Sequence, residues 1–240
     1  MNANLKRAVL LASFAFPLMV ISRPAAAQWS ASAVGVAEYD TEEALLLLAG
    51  VSAGPGGPGW RPLVGVQAYH LSYKLPLETK RVFSVRPYAG LRNNFTGGSL
   101  AFTAGYAFVS DDEAPRPLGT AVADSKDGVV VSGALDHWGT GGPLGYQLLA
   151  SYNFAGGESL WTRGRVTTRV RELASGGQVR VGGEVAYANS DNFSLIQPGL
   201  VAEWHNGSGF ILGFGVGRKL VKDGNDATFF RVETVIPLLR

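Results

Sequence analysis

The sequence predicts an all-β fold, an antiparallel transmembrane β-barrel of roughly 10–12 strands, since closure favours an even count. Three observations carry this. Apolar and polar residues alternate with period two along most of the chain, glycine-rich turns cut the alternation into hairpin-joined segments, and the N-terminus has an export pattern. The 240 residues fit one domain, with 46% hydrophobic and 17% charged residues and 32 glycines, a balance that suits strands and tight turns. A net charge of +2 with scattered Lys and Arg supplies no field for nucleic acid. The absence of cysteine excludes disulfides, thiolate metal sites and a lipidated cysteine anchor, so membrane attachment must come from the fold.

The elements follow in chain order. Lys6 and Arg7 precede an apolar run from Ala8 to Ile21, which leads to Ala25-Ala26-Ala27 before Gln28. That is a cleavable secretory leader over 1–27, too short and too interrupted by Pro17 to span a bilayer, with the barrel expected over 28–240. Two irregular strands precede Gly54; the leucine run within Ala44 to Ala49 does not alternate and reads equally as a short helix or as a strand buried on both faces. From Leu63 to Leu75, Leu63, Gly65, Gln67, Tyr69, Leu71 and Tyr73 share what reads as the apolar face, against His70, Ser72 and Lys74. Phe83, Val85, Pro87, Ala89 and Leu91 then oppose Ser84, Arg86, Tyr88, Gly90 and Arg92.

After a turn at Gly97-Gly98, Leu100, Phe102, Ala104, Tyr106 and Phe108 oppose Ser99, Ala101, Thr103 and Gly105. Glu113 to Lys126, with two prolines, is the longest loop, and strands near Val129 to Trp138 and Leu144 to Phe154 follow it. The clearest alternation sets Leu160, Thr162, Gly164, Val166, Thr168 and Val170 against Trp161 and an arginine ladder, Arg163, Arg165, Arg169 and Arg171. Beyond Gly176-Gly177, Val179, Val181, Val185 and Tyr187 oppose Arg180 and Glu184; Leu200, Ala202 and Trp204 oppose Glu203 and His205. An Asn206-Gly207 turn introduces Phe210, Leu212, Phe214 and Val216 against Gly213, Gly215 and Gly217, and Phe230, Val232, Thr234, Ile236 and Leu238 finally oppose Arg231 and Glu233.

A soluble sandwich also alternates, so face chemistry decides. A lipid face is aliphatic with aromatic girdles, and a lumen face is polar and small. Tyr69, Tyr73, Tyr106, Phe108, Tyr152, Phe154, Tyr187 and Trp204 sit late on their apolar faces, as girdle residues do. Arg86, Arg92, Asp136, Arg163, Arg165, Arg169, Arg180, Glu184, Glu203, Arg231 and Glu233 are then expected in the lumen, where mixed signs allow pairing.

By this pattern the mature chain resembles small bacterial outer-membrane barrels, which implies an outer-membrane location and insertion by the barrel-assembly machinery. Such barrels end in an aromatic residue; this chain ends in Leu238-Leu239-Arg240, which moves the expected signal to Phe229 and Phe230. Gly128 to Trp138, Leu160 to Val170 and Gly182 to Glu184 are also similar to a barrel family encoded beside bacterial cellulose synthases, which implies a part in exopolysaccharide export.

The leading expectation is a structural barrel or narrow pore, without enzymatic activity or cofactor, contacting outer-membrane lipid and passing a polysaccharide or a small anionic solute. A lipid-modifying enzyme would need a histidine base beside a serine, drawn from His70, His137 and His205. His205 and Ser208 lack the spacing for an adjacent-strand pair, and Asp136 and His137, being sequential, face opposite sides. Histidines with no His-x-His or His-x-x-x-His spacing make no metal site, and alternating glycines on a strand make no phosphate loop. Glu184, Glu203 and Glu233 read as partners of nearby arginines rather than as a glycosidase pair.

Overall fold

The computed structural model describes residues 29–74, 79–111, 127–138, 143–154, 158–174, 176–190, 193–222 and 224–239. The leader and the loop from Glu113 to Lys126 lie outside the described residues. The strands are β1 (Trp29–Asp40), β2 (Leu45–Pro55), β3 (Gly59–Lys74), β4 (Thr79–Phe95), β5 (Gly98–Asp111), β6 (Gly128–His137), β7 (Leu144–Asn153), β8 (Ser159–Glu172), β9 (Gln178–Ser190), β10 (Phe193–His205), β11 (Ile211–Val221) and β12 (Ala227–Leu239). Each pairs antiparallel with its sequence neighbours, and β1 pairs with β12, so the sheet closes into one barrel rather than splitting into the two sheets of a sandwich. Closure leaves no edge strand with unpaired N–H and C=O groups, the condition for spanning hydrocarbon. The strands, 10 to 17 residues long, meet or exceed the roughly 9–11 residues a tilted transmembrane strand requires.

The connection between β5 and β6 is the longest, and the connections on its side define a loop end. The opposite, termini end holds the start of β1, the end of β12 and turns that need left-handed backbone at Gly57, Gly97, Gly176 and Gly209. The β10–β11 turn is longer than a two-residue Asn-Gly hairpin: Asn206 Oδ1 accepts from the backbone N–H of Ser208 and of Phe210, each at 2.9 Å, and the positive-φ glycine is Gly209. An Asx-type turn thus stands where the sequence reads as an Asn206-Gly207 hairpin turn.

Outward-facing side chains form a continuous apolar belt. Leu200 is 68% exposed, and Leu148, Val166, Phe214 and Phe230 each exceed 50%. In water such a surface would drive aggregation; against lipid it is the required solvent match. Aromatics border the belt at both ends, Tyr39, Phe83, Tyr152 and Phe154 at the loop end and Trp60, Phe95, Tyr146 and Trp204 at the termini end. Some touch one another: Tyr152 meets Phe154 at 4.8 Å, and His137 stacks on Tyr146 at 5.0 Å.

The leucine run is strand, not helix. It forms the start of β2, with Leu47 outward and Leu46 and Leu48 on the opposite face. The two faces of β3 are the reverse of the sequence expectation. Tyr69 pairs with Ser84 and Gln67 with Arg86, which places Leu63, Gln67, Tyr69 and Tyr73 on the lumen side and Val64, Val66, Ala68 and His70 toward lipid. Tyr69 and Tyr73 therefore leave the girdle. In β8 a bulge between Arg169 and Arg171 pairs Arg171 with the outward Val179, so the arginine ladder loses its last rung.

Candidate functional site: a divided lumen

Twelve strands spaced about 4.8 Å apart and tilted about 40° enclose a backbone cylinder of roughly 12 Å radius. Small side chains on one wall cannot fill such a bore. Long ones from facing walls can meet within it.

That meeting occurs on the side built by β8 to β12 and β1. Arg165 donates to Glu184 (2.8 Å), Glu203 (2.7 Å) and Glu233 (2.9 Å), while Arg163 donates to Glu233 at 2.6 Å. Because β8 and β12 are not neighbours, the bonds to Glu233 cross the lumen instead of running along its wall. Arg231 pairs with Glu184 and lies 3.4 Å from Glu38; Lys219 reaches Glu38 and Asp40, each at 2.8 Å. Gln197 donates to Glu38 at 2.9 Å. At the termini end, Glu203 meets His205 at 3.0 Å, and the His205 ring packs edge-on against Trp138 at 5.2 Å. A connected network thus extends from Asp40, at the loop end of β1, to His205, at the termini end of β10.

Five cations (Arg163, Arg165, Arg180, Lys219, Arg231) face five carboxylates (Glu38, Asp40, Glu184, Glu203, Glu233), so this side is electrically balanced. Arg180 is fully buried; it bonds the Thr167 hydroxyl at 3.0 Å and the Pro143 and Trp138 carbonyls at 2.9 and 3.3 Å, tying the end of β6 and the start of β7 to β9. Phe229, also fully buried, fills the space beside Gly199 and Gly217, where a Cβ would come within 2.9 and 2.6 Å of its ring. The alternating glycines of β11 are slots for Phe229 and Arg231.

The side built by β2 to β7 differs. Most of its lumen-facing polar residues, Ser52, Gln67, Tyr88, Arg86, Arg92, Thr103, Ser132, Gln147 and Ser151 among them, keep part of their surface open, while Ser84 is fully buried. Arg86 bonds Gln67 Oε1 and, at 3.2 Å, the Ser151 hydroxyl; Arg92 lies 3.5 Å from the Ser52 hydroxyl. Asp136 accepts from Gln147 at 2.6 Å, and Gln147 in turn accepts from Arg163 at 2.7 Å, joining the two sides.

Strand register puts Arg86, Arg92, Asp136, Arg163, Arg165, Arg169, Arg180, Glu184, Glu203, Arg231 and Glu233 on the face of the sheet opposite the apolar belt. Arg169 alone sits at the rim, paired with the exposed Glu172. Glu38, Asp40, Lys219 and Gln197 complete the network without having been singled out, although Lys219 continues the parity of Gly213, Gly215 and Gly217. Among the described residues no serine hydroxyl is hydrogen-bonded to His70, His137 or His205. His205 is buried in the lumen, away from lipid, and His137 lies outward between Phe95 and Tyr146. Nor is any group of three His, Cys, Asp or Glu among the described residues placed to hold a metal ion. Phe229 faces the lumen and Phe230 the lipid, both near the loop end of β12.

No family model matches the sequence, and no curated protein matches it. Solved structures do. An outer membrane channel from Pseudomonas putida F1 superposes with a TM-score of 0.54 at 11% identity, over 90% of this chain and 99% of that one. The KdgM porin gives 0.49 at 13% identity over 85% and 98%, and the β domain of the Bordetella autotransporter Brka gives 0.46 at 14% over 88% and 99%. The fold of this chain, a closed antiparallel barrel with a lipid-facing belt, is that of outer-membrane β-barrels.

Proposed function

We propose that this chain is a narrow passive channel of the outer membrane, inserted there by the barrel-assembly machinery, which conducts through the side of the lumen lined by β2 to β7. One observation carries the reading: burial divides the lumen. The β8–β12 side is filled by neutralised, buried ion pairs, whereas the polar residues of the β2–β7 side, the buried Ser84 excepted, retain partial solvent contact. A filled half narrows the bore, and the remaining half offers hydroxyls, amides and guanidinium groups that replace water around a polar solute.

The test is conductance of the purified full chain in planar bilayers, after its folded state is established by migration that changes on heating. Small, stable current steps support the channel. A heat-modifiable barrel that never conducts is a closed structural element, and the proposal then fails.

A part in exopolysaccharide export is a second reading, favoured by the hydroxyls of Ser52, Tyr88, Thr103, Ser132 and Ser151 on the solvent-reached wall. Swelling of liposomes in short neutral oligosaccharides separates the two readings: swelling supports sugar passage, and its absence alongside ion conductance removes it.

A further inference from the structure

We propose that Lys80, Arg86 and Arg92 form an anion track on the lumen wall of β4, and that this track, not the arginine-rich β8, sets the selectivity of the pore. The inference rests on the channel reading above.

The three cations recur at six-residue intervals on β4. An even interval keeps them on one face, and at about 3.3 Å per residue it separates them by roughly 20 Å along the strand. Register confirms the face: Lys80 pairs with Tyr73, Arg86 with Gln67 and Arg92 with Arg61, all of the lumen parity of β3. Lys80 lies in the first turnings of the strand at the loop end, Arg86 is central, and Arg92 approaches the termini end. The row therefore runs from mouth to mouth.

The partners of these cations are neutral. Arg86 is held by an amide and a hydroxyl and Arg92 by a hydroxyl, and among the described residues none of the three has a carboxylate within ion-pair distance. In the β8–β12 half each positive charge except Arg180, which is held by carbonyls and a hydroxyl, is met by a carboxylate, so an entering ion sees little net field there. An anion entering the β2–β7 half finds guanidinium groups that make no ion pair and remain partly exposed, the Asp136 carboxylate of the same half being held by the Gln147 amide, with Tyr69 and Tyr88 on the same wall as donors. Guanidinium groups match carboxylate and phosphate oxygens in pairs, so the ligand class is small carboxylate- or phosphate-bearing solutes, with chloride as the simplest member.

The experiment is the reversal potential of the full chain in a planar bilayer under a potassium chloride gradient. Wild type is expected to favour chloride, and the double variant Arg86→Gln/Arg92→Gln to lose about threefold or more of that preference while still conducting. Arg218→Gln, on the outward face, is the control and should leave the ratio unchanged. A conducting double variant with wild-type selectivity overturns the track. A wild-type barrel that does not conduct overturns the channel reading itself, a distinct result. Should the double variant fail to fold, inorganic phosphate added to wild type decides: saturable reduction of the chloride current supports a binding track, and a strictly proportional or absent effect overturns it.

Discussion

Arg165 shows how much one residue can hold. Its guanidinium serves three carboxylates drawn from β9, β10 and β12, at 4% side-chain exposure. Ion pairs of this depth add little net stability when complete, because desolvation offsets attraction; removing one member leaves the rest charged and unpaired. Arg165→Met is therefore expected to cost about 3–5 kcal/mol, read as a lower temperature for loss of the fast-migrating barrel form. Arg169→Met, at the rim beside the 69% exposed Glu172, should change it by no more than about 0.5 kcal/mol. Equal, small effects at both positions would mean that the crossing network does not hold the barrel. That Arg163, Arg165, Glu184, Glu203 and Glu233 share one face was legible from alternation, and their charge assigned that face to the lumen. Which of them meet was not, since the contact of Arg163 with Glu233 joins residues 70 positions apart across the bore.

At the scale of the element, alternation fixes which residues share a face but not which face looks inward. On β4 the contrast of Phe83 and Leu91 with Arg86 and Arg92 settles the sign. On β3 both faces are apolar: tyrosines and leucines line one, and Val64, Val66 and Ala68 line the other. The larger side chains suggest lipid, yet the mid-strand Gln67 is the decisive residue, because an amide facing hydrocarbon would leave its donors and acceptors unsatisfied. β10, β11 and β12 supply the converse lesson. Gly199 and Gly217 read only as small residues in sequence, whereas in the barrel they are the space that Phe229 occupies. Phe229→Ala should cost about 3–5 kcal/mol by leaving a cavity. Gly217→Val should also destabilise, and combining the two should not restore stability, because the new Cβ also meets the Pro198 carbonyl. Recovery in the double variant would show that the Phe229 ring is the only obstacle; both effects are measurable as heat-modification midpoints in detergent.

For the whole molecule, closure is what the sequence pattern predicts best, because each hairpin specifies its own neighbour and only the β1–β12 seam needs distant residues to find one another. The seam is also tied inside the lumen, where Arg231 of β12 and Lys219 of β11 converge on Glu38 of β1. A closed barrel is asymmetric along its axis, and its orientation follows from its connections: short turns belong on the periplasmic side and long loops outside. The β5–β6 connection marks the outer end, so Asn225, in the β11–β12 turn, should face the medium and Ser208, in the β10–β11 turn, the periplasm. The chain has no cysteine, so single substitutions report without background. In intact cells an impermeant maleimide is expected to label Asn225→Cys and to spare Ser208→Cys until the outer membrane is breached. The opposite pattern would invert the barrel and exchange the two mouths of the lumen, placing the Trp138–His205 contact at the outer end.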